Sequence, residues 1–268
     1  MTARRDRPPP PWRHLPLLAQ LVRRDVAARY RGSWLGLGWS LLQPLLLLAV
    51  YTFVFGMVFP SRWPQAMPGQ AGFAAALYCG LLPFSVLAEC LARAPGLVLN
   101  HPNYVKKVVF PLALLAWVPL GTALYHAGLG LLLLLAYLSL TRAGLGPALL
   151  TLPLLLVPLA GLCLGCGWGL SALGIYLRDV GQVVGLGTTL LLFLSPVFYP
   201  LAAVPVPYRD WLALNPLTAL IEQTRAIVLW QQWPDPGSVG ALWLGSGLIA
   251  AAGYAFFERT RRGFADVL

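Results

Sequence analysis

Ionisable residues make up only 10% of this 268-residue chain, so the few that stand close together bound the chemistry open to it. In LVRRDVAARYRGS, Asp25 and Arg29 are four apart, the spacing of an ion pair on one turn of a helix. Arg23, Arg24 and Arg31 stand on the other side, where guanidinium groups suit phosphate oxygens. Glu89 and Arg93 repeat the spacing of four, so the arginine offsets the cost of a carboxylate inside an apolar run, about 2.5–3.5 kcal/mol at a bilayer centre. Glu222 and Arg225 are three apart and suit pairing with each other or across a subunit boundary. A proton relay needs further ionisable partners, and no other apolar run offers one. His14, His101 and His126 are scattered, without a carboxylate or second histidine at ligand spacing. Cys79, Cys90, Cys163 and Cys166 lie in apolar surroundings and read as packing residues. No metal site, nucleophilic triad or catalysis is expected, and without a Gly-x-x-x-x-Gly-Lys-Ser/Thr stretch the chain does not cradle ATP in a P-loop.

The elements that position these groups are membrane helices. Hydrophobic residues form 58% of the chain, too many for a water-soluble surface of this size. Trp34 to Phe59 runs 26 residues without a charge, a helix of about 39 Å against a hydrocarbon core of about 30 Å. Six runs suit crossings: Trp34 to Phe59, Gly72 to Ala92, Val108 to Leu140, Pro147 to Tyr176, Val183 to Tyr199 and Val239 to Phe257. The third is too long for one straight crossing and is expected to extend beyond the bilayer or bend near Pro111 or Pro119. Runs such as LLLLLAYLSL lack the alternation of a β-barrel strand, which leaves an all-α integral membrane protein. The tail MTARRDRPPPPWRH, polar and proline-rich, does not read as a signal peptide and is expected to stay in the cytoplasm. With six crossings, fifteen of the 19 lysines and arginines fall on the side of the two termini, which the positive-inside bias makes cytoplasmic. That distribution, between apolar runs rather than on one face, speaks against a nucleic-acid partner.

Three segments stand out. Leu17, Leu18, Leu21, Val22, Val26 and Tyr30 share one side of a helix before the first span, forming an interfacial amphipathic helix. It serves either as an anchor or to meet an anionic lipid-linked substrate or a cytosolic partner. NHPNYVKKVVFP offers an exposed Tyr104 and the Lys106–Lys107 pair, either ordinary stop signals or a docking element; YLRDVGQ gives a second cytoplasmic turn. SPVFYPLAAVPVPYRDWLALNPLTALIEQTRAIVLWQQWPDP is too apolar for a free loop and too broken by proline for one helix, so a re-entrant pair of short helices is expected. It either caps a conduit or merely covers the bundle. Tyr51, Phe55 and Phe59 form an aromatic stripe for packing or for sugar stacking. Gly161, Gly165 and Gly169 stand four apart and favour close helix contact with another span or a second subunit.

In order and spacing, LVRRDVAARYRGSWLGLGWSLLQPLLLLAVYTFVFG, NHPNYVKKVVFPLALL, YLRDVGQ and the proline-broken segment resemble the permease subunit of type-2 ABC exporters of lipid-linked polysaccharides such as O-antigen, capsule or teichoic acid. The resemblance implies a six-span homodimer in the bacterial inner membrane, with two cytosolic ATPase subunits that hold ATP and magnesium. It implies a tail and interface helix over 1–33, a six-helix domain over 34–257 and a cytoplasmic tail over 258–268. Asp25, Arg29, Tyr30 and Arg31 would belong to the interface helix. Asn100, Pro102, Asn103, Tyr104, Val105, Lys106 and Lys107 would belong to a coupling element near 95–107, and Asn215, Pro216, Glu222 and Arg225 to an outer gate near 200–236. A permease for drugs or simple lipids is the alternative within transport. A membrane-embedded glycosyl or acyl transferase would need converging polar residues, and a membrane scaffold would not need the broken segment.

Overall fold

The structure, a computed structural model, describes residues 14–54, 71–106, 110–141 and 145–267, and contains helices and turns but no strand among them. Five stretches are long and apolar enough to cross a membrane: Gly36–Phe53, Gly72–Gly96, Leu112–Leu140, Pro147–Tyr176 and Pro236–Gly263. The fifth expected run is a shorter helix, Val180–Leu194, of 15 residues and so about 22 Å long. The chain is an all-α, multi-pass membrane protein.

Its helices are α1 (Leu15–Tyr30), α2 (Trp39–Phe53), α3 (Ala71–Arg93), α4 (Pro102–Lys106), α5 (Trp117–Leu140), α6 (Leu152–Tyr176), α7 (Val180–Leu194), α8 (Val206–Ala213), α9 (Pro216–Val228), α10 (Pro236–Thr260) and α11 (Phe264–Val267). The long third run resolves into a 3-10 turn, Leu112–Ala116, followed by α5. Pro111 precedes the turn in extended conformation, so the change of direction falls there.

Helix α3 is central and packs on α2, α5, α6, α7 and α9. Its Ala74–Cys79 stretch is buried throughout, and three consecutive alanines let neighbouring helices come close. Helix α6 pairs with α10 along the glycine stripe. Gly161 faces Ser246 closely, Gly165 faces the backbone of Ile249 and Ala250, and Gly253 faces the carbonyl of Gly165, so a Cβ at Gly165 or Gly253 would collide. The stripe therefore serves packing within this chain at its first two members, while Gly169 meets nothing.

The two ends of α3 define the two ends of the bundle. A rise of about 1.5 Å per residue puts Ala76 and Arg93 about 26 Å apart. At the Arg93 end lie α1, bonded to Arg93, and the 3-10 turn Ala94–Gly96. There too Val98, Leu112, Ile175, Phe257 and Phe264 form one apolar cluster. N-terminal α1 and C-terminal α11 thus share one end. At the Ala76 end lie Val197 and α9, joined through Arg225. Helix α7 packs on the Ala94–Gly96 turn and on α3, and its chain emerges beside Arg225, so this short helix runs between the two ends.

Candidate functional site

The densest polar constellation among the described residues lies where α1 meets the inner faces of α3 and α5. Helix α1 has only one buried residue, Val26. Leu18, Leu21, Val22, Asp25 and Tyr30 on the same face are half-buried, while Leu15 and Leu17 stay exposed. Val22 packs on Gly121 of α5, where any side chain would displace it. So small an apolar seat is supplemented by charge.

The spacing of Asp25 and Arg29 suggests a pair, but the structure assigns each a partner on α3 instead. Arg93 donates twice to Asp25, Nη1 to Oδ2 at 2.7 Å and Nη2 to Oδ1 at 2.6 Å, and Thr122 Oγ1 of α5 donates to Oδ2 at 2.7 Å. Arg29 Nη2 donates to Glu89 Oε1 at 2.5 Å. Arg93, expected to compensate Glu89, lies 3.7 Å from it, a secondary contact. Two bonds at hydrogen-bonding distance and in fork geometry outweigh one longer contact, and partners offered by neighbouring helices win over the local i,i+4 choice. Burial raises the Asp25 carboxyl, but the bonds from Arg93 and Thr122 outweigh it and hold the group below the usual carboxylate range.

His126 completes the cluster, and sequence spacing gave no sign of it. Arg29 Nη1 lies 3.1 Å from His126 Nδ1, and Tyr30 Oη lies 2.9 Å from Nε2. A guanidinium only donates, so a bond between Arg29 and Nδ1 makes Nδ1 the acceptor and leaves Nε2 to bond the tyrosine hydroxyl. Glu89 Oε2 is 3.5 Å from the same Nδ1. The third span therefore does bring a titratable partner to Glu89, contrary to the expectation that no other run offers one. The two residues are 37 apart, and only the pairing of α3 with α5 joins them.

The remaining sequence-predicted residues fall into separate places. Arg23, Arg24 and Arg31 are exposed on the outer side of α1. Leu99, Asn100, His101, Pro102 and Asn103 form an exposed tip beyond α3. Tyr104 does not project from that tip: it stacks between His101 and Phe110, with ring centroids at 5.6 and 4.7 Å. The side chains of Val105 and Lys106, and all of Lys107, Phe55 and Phe59, lie outside the described residues. A crevice of about 180 Å³ joins the tip to α1, lined by Arg24, Asp25, Arg93, His101 and Tyr104. The tip, α1 and the ion pairs thus form one contiguous unit.

At the other end, the proline-broken segment forms α8 and α9 as two short helices. Asn215 starts α9: its Oδ1 accepts from Leu217 N–H at 3.0 Å, Pro216 fills the first turn, and its Nδ2 donates to Ser195 Oγ at 3.0 Å. Arg225 is wholly buried. It donates to the carbonyls of Ala76 at 2.9 Å and Val197 at 2.7 Å and to Glu222 at 3.0 Å, so the pair forms within the chain. The cysteines are unpaired thiols, three of them buried, and no group able to hold a metal occurs among the described residues.

Comparison with known proteins gives this arrangement a family. The model of the ABC-2 type transporter family matches residues 16–229. The chain is 30% identical over 254 residues to the O-antigen export system permease protein RfbA of Myxococcus xanthus, covering 93% of this chain and 94% of that one. It is 25% identical to the protein of the same name from Klebsiella pneumoniae, covering 94% and 95%. It is also 26% identical to the polysialic acid transport protein KpsM of Escherichia coli, covering 78% and 80%. The matched region takes in α1 from residue 16, the α3–α5 ion cluster and α9, and the chain belongs to the ABC-2 type transporter family.

Proposed function

We propose that the chain is the permease subunit of an exporter that carries lipid-diphosphate-linked polysaccharide out across the bacterial inner membrane. The observation that carries this is near full-length similarity to an O-antigen export permease, 93% of the chain at 30% identity. It crosses six times with both termini cytoplasmic. Five stretches reach span length, and α7, though short, links the two ends. The permease acts as a homodimer with two cytosolic ATPase subunits, which bind ATP and magnesium.

The exposed tip Leu99–Asn103 and the arginine face of α1 lie at the same end and suit docking by such a subunit. Closure of the ATPases pushes on the tip and on α1. The Asp25–Arg93 and Arg29–Glu89 pairs pass that displacement to α3, which extends to Ala76 under Arg225. Arg23, Arg24 and Arg31 draw the diphosphate, while Tyr51 and its aromatic stripe let sugars slide without fixed bonding. The hairpin of α8 and α9 acts as the outer gate.

The test is deletion of the chain in its native cell, with surface and cytoplasmic glycan quantified separately. Loss of surface glycan with cytoplasmic accumulation, restored by the chain only when its ATPase is present, is expected. Unchanged surface glycan refutes the assignment.

A further inference from the structure

We propose that the crevice between α2, α3 and α5 is a binding site for a single neutral sugar ring. It rests on the polysaccharide-export reading above and specifies a subsite for it. The cavity holds about 230 Å³, room for roughly eight waters at about 30 Å³ each, which is the size of one ring rather than of a chain. It opens beside the ion cluster, so Arg29 and Glu89 form its floor. Their charges cancel, which disfavours a phosphate or an ammonium group and leaves both donors and acceptors for hydroxyls.

The walls are built to the same pattern. Gln43 is the sole amide in the Gly36–Phe53 span and stands exposed on it, a group that gains nothing from lipid. It faces this cavity with Ser85, the exposed hydroxyl of otherwise well-buried α3. Pro44 has no N–H, so position 44 supplies no helical donor to the Ser40 carbonyl; both residues line the cavity. Tyr51 and Tyr78 add two aromatic rings. Aromatic faces with interspersed amide, hydroxyl and carboxylate groups match the alternation of C–H faces and hydroxyl edges on a sugar. The neighbouring cavity of about 410 Å³, lined by Leu82, Leu124, Leu152 and Leu155, lacks that polarity. Polar groups are gathered on one side of the α3–α5 seam, while Thr224 is the one polar side chain that lines the other.

The test uses the purified complex of permease and ATPase in lipid nanodiscs. Saturation-transfer NMR is run with glucose, galactose, mannose, rhamnose and N-acetylglucosamine as separate probes. Transfer to at least one sugar is expected. Gln43→Leu, a change that suits a lipid-facing helix, should weaken binding about tenfold, the effect of about one lost hydrogen bond, and Ser85→Ala should weaken it less. No transfer to any probe, or transfer unaltered in Gln43→Leu, overturns the site. If the wild-type chain exports glycan while its sugar binding ignores Gln43, the export reading stands and this one falls.

Discussion

The two ends of α3 carry the same ion-pair chemistry in opposite settings. At one end Asp25, Arg29, Glu89 and Arg93 keep side-chain exposures between 17% and 40%. They join helices that share little apolar contact. At the other end Arg225 has no exposure and bonds two backbone carbonyls and Glu222, tying α9, α3 and the Ser195–Val197 link together. A charge in lipid or protein without partners costs several kcal/mol, so Arg225 can persist only where the backbone around it is fixed. The α1 cluster remains near water and can part and re-form at lower cost. One end is pinned and the other is detachable, which suits a machine driven from the detachable end.

The largest effect is expected where the pin is pulled. Arg225→Ala removes the guanidinium that bonds the carbonyls of Ala76 and Val197, and leaves Glu222 without a cation. A loss of about 3–5 kcal/mol follows, read as a collapse of the thermal midpoint of the detergent-solubilised protein. Arg225→Lys should rescue little, because one ammonium cannot serve three acceptors spread around a planar fork. A midpoint within a degree or two of wild type in either variant would erase the contrast between the ends.

The detachable end should show a different signature. Asp25→Arg or Arg93→Asp alone should cost about 1–3 kcal/mol and uncouple ATP hydrolysis from export, with the bundle still folded. The double exchange should recover part of the coupling, since the Thr122 hydroxyl accepts from a guanidinium as readily as it donates to Asp25. Equal damage in the single and double variants would mean that the charges matter separately rather than as a pair.

What the sequence disclosed follows the range of the interactions. Membrane helices, the glycine stripe and the division of the proline-broken segment into two short helices depend on neighbours within one or two turns, and all were legible. The short α7 blurred the count of crossings because its apolar run continues into Ser195–Tyr199, which is not helical. Asp25–Arg29 looked like a pair because residues four apart face the same way; Arg93, 68 residues away, offers two bonds at once. His126 was invisible for the same reason, since its partners Arg29, Tyr30 and Glu89 come from two other helices. Tyr104 was expected outside because its loop is polar, yet its stacking partner Phe110 lies beyond the lysines.

The mildest prediction separates the two ion pairs within the detachable end. In an Arg29→Gln background, which removes the cation from Glu89, Asp25–Arg93 remains as the bridge from α1 to α3. The Asp25 carboxyl is held below its usual value near 3.9, so the folded state retains the charged form that the released helix would lose first. Its contribution is complete above the ordinary carboxylate range and disappears as pH falls through the depressed folded value. Spin labels on exposed Ala19 and Tyr125 should therefore report an unchanged α1–α5 distance from pH 7 to about 5, with separation only below the usual carboxylate pKa. Separation already above about pH 5 would show that Asp25 does not hold the helix.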